Sequence, residues 1–154
     1  MDIPLPNLDA TARLAGWLAP LLRDGDVILL EGPLGAGKTF FARALLRAVC
    51  ADPALEVPSP SYTLVQTYDL GRFALHHFDL WRLDGPGGLA ELGWDEARGD
   101  VIVVEWPDRL GPLRPESALT IIFSTSGETA RLATLRGWEA RLLTAPPPEN
   151  AGFT

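Results

Sequence analysis

The stretch VILLEGPLGAGKTF, residues 27–40, decides how the rest of the chain reads. Its opening, DVILLEG from Asp26, is a short continuous apolar run of the kind found in a strand buried on both faces, which points to a parallel sheet. Its centre carries Gly32, Gly37, Lys38 and Thr39 in the spacing G-x-x-x-x-G-K-[ST], with Gly35 between them. Its end runs into KTFFARALLRAVC, residues 38–50, where apolar residues fall on one helical face with arginines between. The order is therefore strand, glycine loop, helix, the context in which this spacing acts on phosphate.

Each part of the pattern has a chemical reason. Glycines let the backbone turn so that successive N–H groups face phosphate oxygens, and the helix that begins there adds its positive dipole end. Lys38 would reach the β- and γ-phosphates, and the Thr39 hydroxyl would coordinate Mg²⁺. The candidate nucleotide cradle is Gly32, Gly35, Ala36, Gly37, Lys38, Thr39 and Phe40. Lys38 is the sole lysine of the chain, the twelve other permanent cations being arginine. An ammonium is a compact charge on a flexible stem, whereas a guanidinium is a wide planar fork that would crowd the loop. At typical residue frequencies the full pattern arises by chance in under about 1% of chains this long, so a merely structural glycine turn is the weaker reading.

The bulk composition limits the functional classes. A chain of 154 residues, 47% hydrophobic and 21% charged, fits one folded domain with a true core. The expected division is a single domain over residues 1–145 and a flexible tail over 146–154. The formal net charge of −7 argues against a protein that grips nucleic acid by itself, which needs a basic surface. No apolar run approaches the roughly 20 residues that cross a bilayer, and MDIPLPNLDA lacks the form of a secretory signal, so the expected address is the cytoplasm, with no membrane partner. Cys50 is the one cysteine and reads as a buried structural thiol.

Outward from the glycine loop, residues 8–23 read as a helix with Asn7 or Asp9 as N-cap and Pro20 bending or ending it. ADPALEVPSPSY is proline-rich and reads as an exposed loop. TLVQTY and RFALHHF flank DLG, a hairpin signal that makes the pair antiparallel. DGPGG reads as a loop, LAELGWDEA as a short helix, and VIVVEW as a second buried strand. ALTIIFST and ARLATLRG read as two strands around a turn at Ser126 and Gly127.

A nucleotide-bound Mg²⁺ needs a protein oxygen besides Thr39. Asp79 and Glu105 both stand at strand ends, where ligands of open α/β sheets collect. Pattern alone favours Glu105 as the metal ligand, because its strand has no polar interruption. His76 and His77 are adjacent on a strand and face opposite ways, which argues against joint chelation and leaves one of them in the core or in a hydrogen-bonded role.

Taken together, GPLGAGKT, VPSPSYTLVQTY, HFDLWRL, ELGWDEA and VVEWPDRL resemble, in order and spacing over about residues 8–125, the TsaE (YjeE) family of small bacterial ATPases. The resemblance implies a P-loop NTPase fold: α/β, with a mostly parallel central sheet, an antiparallel hairpin and flanking helices. It also implies ATP and Mg²⁺ as cofactors and a role, with the partner proteins TsaB and TsaD, in making threonylcarbamoyladenosine in tRNA, the tRNA being contacted indirectly if at all. By motif, Lys38 matches the phosphate-binding lysine, Thr39 the magnesium-binding hydroxyl and Asp79 the acid associated with Mg²⁺. Glu105 then becomes the residue that orients or activates water, with Trp106 beside the nucleotide. Thr63, in SPSYT, matches a switch-like position that senses the γ-phosphate. Arg82 is a candidate to steady phosphate charge.

The chain departs from the family pattern at Pro33, where Asp is usual, at Ser61, where Thr is usual, and at Trp81, where Tyr is usual. A regulatory GTPase is disfavoured, since its N-K-x-D motif cannot occur in a chain whose lysine is already in the loop. The alternative is a small P-loop kinase of a small molecule, which should supply a lid with catalytic arginines that the sequence does not clearly offer.

Overall fold

The computed structural model describes residues 1–60 and 63–145. A seven-stranded sheet organises them: β1 (Asp2–Leu5), β2 (Val27–Glu31), β3 (Val65–Asp69), β4 (Ala74–Asp79), β5 (Val101–Glu105), β6 (Leu119–Thr125) and β7 (Arg131–Arg136). The spatial order is β1-β7-β6-β2-β5-β4-β3. The middle four strands, β6-β2-β5-β4, are parallel, and β3, β7 and β1 are added antiparallel at the edges. Helices α1 (Leu8–Leu18) and α2 (Lys38–Cys50) are joined by the short α3 (Trp94–Ala97) and α4 (Glu139–Thr144).

Alternation along the strands sends side chains into two cores. Ile28, Leu30, Leu75, Val101 and Val103 pack with Leu14 and Leu18 of α1 and Phe41 and Leu45 of α2. Val27, Leu29, Phe78, Ile102 and Val104 pack on the other face with Trp94 and Leu110. Strands β2 and β5 are covered on both sides, which is why each reads as an unbroken apolar run. Truncating a buried aromatic such as Phe41 in such a core costs about 3–5 kcal/mol.

Local chemistry sets the element ends. The Asn7 side chain accepts from the Ala10 N–H at 2.9 Å and caps α1, so Asn7 rather than Asp9 fills that role. Pro20 stops the α-helical bonding, and residues 19–21 tighten into a single 3₁₀ turn. The β3–β4 turn has Gly71 at φ +88° and the Leu70 N–H on the Phe73 carbonyl, the expected hairpin.

Several expectations need correction. β1 was not legible: it is four residues long, contains Pro4, and exists because the far β7 offers an edge. The 51–60 connection is not simply exposed, because Val57 is buried and α2 fastens it, Arg43 donating to the Val57 carbonyl and Arg47 to that of Leu55. LAELGWDEA forms two short turns, since Gly93 at φ +81° breaks it. Cys50 is half-buried at the C-terminal end of α2, not enclosed. Ser61 and the expected tail over 146–154 lie outside the described residues.

Candidate functional site

The glycine loop joins the end of β2 to the start of α2 over residues 32–37. Gly32, Gly35 and Gly37 all have positive φ, at +143°, +82° and +108°. Gly32 is required twice over: a Cβ there would also stand 2.6 Å from the Phe123 carbonyl oxygen on β6. Ala36 is buried and its N–H bonds the Pro33 carbonyl at 3.1 Å, which closes the loop on itself. Pro33 therefore serves through its carbonyl, and the amide it lacks is absent from the loop entrance. The first N–H groups of α2 have no acceptor inside the helix, as at any helix start.

Lys38 opens α2 and is buried, donating from Nζ to the Gly32 carbonyl. The same Nζ stands 3.6 Å from the centroid of the Trp106 ring, a cation–π contact. Burial pulls the Lys38 ammonium below its ordinary pKa, against the opposing pull of Glu105, Asp79 and Asp108. Trp106 sits in left-handed backbone at φ +61°, ψ +55°, immediately after β5, and this turn aims its indole at the loop. Trp81, which is half-exposed, lies beside it with ring centroids 6.1 Å apart.

Sheet register brings the acids together. Leu30 of β2 is opposite Glu105 of β5, and Glu105 is opposite Asp79 of β4, so the three parallel strands end in one row. Glu105 and Asp79 are both buried. Thr39 Oγ1 donates to Glu105 Oε1 at 2.7 Å, and His77 Nε2 lies 2.7 Å from Glu105 Oε2. Asp79 Oδ1 accepts from the Trp81 N–H at 3.3 Å. His76 faces the other way, between Thr67 and Asp100, as the two-residue period of a strand requires.

A cavity of about 580 Å³ opens in front of these groups. Gly35, Gly37, Lys38, Thr39, Phe40, Asp79, Glu105 and Trp106 line it, so the structure gathers most of the residues singled out in the sequence. Gly32 instead lines a smaller adjoining cavity of about 270 Å³ with Lys38 and Trp106. Thr63 lines neither cavity; it is exposed and its hydroxyl accepts from Gln66 at 3.1 Å. Arg82 is also exposed and lines neither.

Sequence reasoning missed the opposite wall. Asn7, Leu8 and Thr11 of the α1 start face it, with Glu128 and Thr129 of the β6–β7 turn and Arg131 at the start of β7. Arg131 donates to the Gly35 carbonyl at 3.2 Å and ties β7 to the glycine loop. No local pattern could have marked this wall, because it is assembled by the β1–β7 pairing. Exposed Leu8, Leu34 and Trp81 leave its mouth apolar, Leu34 being 83% exposed.

Residues 5–133 match the family model described as threonylcarbamoyl adenosine biosynthesis protein TsaE. The chain is 36% identical over 132 residues to the tRNA threonylcarbamoyladenosine biosynthesis protein TsaE of Rickettsia felis, covering 85% of this chain and 77% of that one. It is 36% identical over 112 residues to the protein of the same name from Aquifex aeolicus, covering 72% and 80%. The crystal structure of Bacillus subtilus YdiB superposes with a TM-score of 0.73 at 25% identity, over 94% of this chain and 90% of that one. The glycine loop, the paired strand-end acids and the sheet that aligns them are thus carried by a chain that belongs to the TsaE family of threonylcarbamoyl adenosine biosynthesis proteins.

Proposed function

We propose that the chain is a Mg²⁺-dependent ATP-binding protein and weak ATPase that acts with TsaB and TsaD to place threonylcarbamoyladenosine in tRNA. The observation that carries this reading is the meeting, around one cavity at the start of α2, of the Lys38 ammonium, the Thr39 hydroxyl and the Asp79 and Glu105 carboxylates. The cavity suits a nucleotide in size.

The residues present fit the group. Backbone N–H groups of the loop and of the first turn, Gly35 to Phe40, would hold the phosphate oxygens, helped by Lys38. Among the described residues no three His, Cys, Asp or Glu side chains are grouped to hold a metal. A hydroxyl with one or two acids is the donor set of a magnesium ion that takes its other ligands from phosphate and water. Thr39 and Asp79 would supply it, and Mg²⁺ would neutralise charge that develops on the transferred phosphoryl group.

The residues of the chain divide the remaining tasks. The Thr39–Glu105 bond leaves the Thr39 oxygen lone pairs for a cation while its proton is occupied. Each Glu105 oxygen already accepts one hydrogen bond and retains room for another, which lets this carboxylate orient a water for attack. Trp106 covers Lys38 on one side and limits solvent there. Thr63 is the proposed γ-phosphate sensor, a role that requires its hydroxyl to exchange Gln66 for the nucleotide. The acidic charge of the chain agrees with leaving tRNA contact to the partners. The cytoplasm, where ATP and tRNA meet, is the compartment this reading requires.

Depletion of the protein in its host is the test. Threonylcarbamoyladenosine in bulk tRNA should fall and recover with a wild-type copy, and an unchanged level would contradict the assignment.

A further inference from the structure

The face of the sheet beneath α1 and α2 is apolar until it nears the strand ends at Asp79 and Glu105, and His77 breaks the apolar row two residues earlier. Leu75, Val101, Val103, Ile28 and Leu30 fill that face of the sheet, and His77 stands among them with no exposure to solvent. Strand alternation puts His77 on the same face as Asp79 and Leu75, and register puts it opposite Val103, one step diagonal from Glu105. Burying a polar ring here costs free energy that a leucine or phenylalanine would avoid.

Its two nitrogens are not equivalent. Nε2 is 2.7 Å from Glu105 Oε2, while Nδ1 is buried with no hydrogen-bond partner among the described residues. The arrangement that leaves no orphaned N–H is a neutral ring with its hydrogen on Nε2, donated to the carboxylate, and a bare lone pair at Nδ1. Glu105 is then held at both oxygens, by His77 on one side and by Thr39, at 2.7 Å, on the other. A carboxylate gripped at both ends cannot rotate about its terminal torsion, which is otherwise broad and soft.

We propose that His77 is a positioning residue: its Nε2–H fixes the Glu105 carboxylate so that one oxygen meets Thr39 at the start of α2 and the pair is set before nucleotide arrives. This rests on the hydrolytic reading for its consequence in turnover, and on the observed contacts for the positioning itself. His77 lines neither cavity. It acts through Glu105, much as the outer hydrogen-bond partners of a metal ligand set that ligand's orientation.

The test compares His77→Leu, which keeps much of the volume and removes the donor, with His77→Gln, whose amide nitrogen can reach a similar place. ATP turnover is measured with TsaB and TsaD present, nucleotide affinity by calorimetry, and folding by thermal unfolding. His77→Leu should lower kcat by about tenfold to a hundredfold with nucleotide affinity little changed. His77→Gln should regain most of the loss, and His77→Leu should add nothing in a Glu105→Gln background. Wild-type turnover in His77→Leu would overturn the proposal, as would an equal loss in both variants that persists without Glu105.

A second readout guards against a variant that fails to fold and against a wild type with no turnover. The ¹⁵N spectrum of the wild-type imidazole should show the neutral Nε2–H form, with its Nε2 resonance displaced in Glu105→Gln. The Nδ1–H form, or a resonance indifferent to Glu105, would overturn the positioning role. A wild type that never hydrolyses ATP would defeat the hydrolytic reading alone.

Discussion

The two flanks of β2 face the same cavity and are built differently. On one flank β5 and β4 run parallel to β2, and the row ends in buried Glu105 and Asp79. Glu105 is locked to Thr39 and His77 within a row of strand ends, so its chemistry is set by the sheet. On the other flank β6 turns back into β7, and the wall is the half-buried Arg131 with the α1 start. Here the groups belong to turns and helix ends joined by contacts over long sequence separations, such as Arg131 to Gly35. The first flank is fixed by backbone ladders and suits chemistry that needs aligned charge. The second is brought together by the β1–β7 and β6–β7 pairings, is tied to the loop by the Arg131 side chain, and suits contacts that set affinity.

Lys38, at the hinge between the flanks, is the place to break this comparison most severely. Lys38→Arg keeps the charge but must fit a planar fork between the Gly32 carbonyl and the Trp106 ring. Loss of a charge-assisted hydrogen bond of about 1.5–3 kcal/mol should weaken the proposed nucleotide binding by about tenfold to a hundredfold. Calorimetry checks the affinity, and wild-type affinity with wild-type turnover would remove the reasoning from shape.

Arg131→Ala sharpens the comparison at the other wall. It removes one hydrogen bond to the loop, at Gly35, and should weaken nucleotide affinity by about fivefold, the worth of about 1 kcal/mol. Turnover of the bound nucleotide should stay unchanged, because Thr39, Asp79 and Glu105 are untouched. A loss confined to kcat would mean that the two flanks do not divide the work in this way.

What could be read in the sequence follows the same division. The strand, glycine loop and helix of residues 27–50 were legible because strand burial, loop glycines and helix periodicity are all local signals. Asp79 and Glu105 were legible as strand ends, and their alignment follows from the parallel register. The structure also places the Thr39 hydroxyl on Glu105, the acid that strand pattern alone first favoured. β1 was not legible, since four residues with a proline become a strand only where an edge awaits them. Helix α4 was missed for a similar reason: six residues hold a helix here with Leu142 buried in the core and Arg141 paired to Asp26 at 2.7 Å. For His77 the alternation with His76 was legible but not which ring faced Glu105, because that depends on which face α1 and α2 cover.

The most direct measurement is calorimetric titration of the purified protein with ATP in the presence of Mg²⁺. Saturable binding at one site per chain, lost on removal of Mg²⁺ and weakened in Lys38→Arg, is the result expected of a cavity formed by the glycine loop and the strand-end acids. No heat of association, with TsaB and TsaD supplied as well as without them, would contradict it.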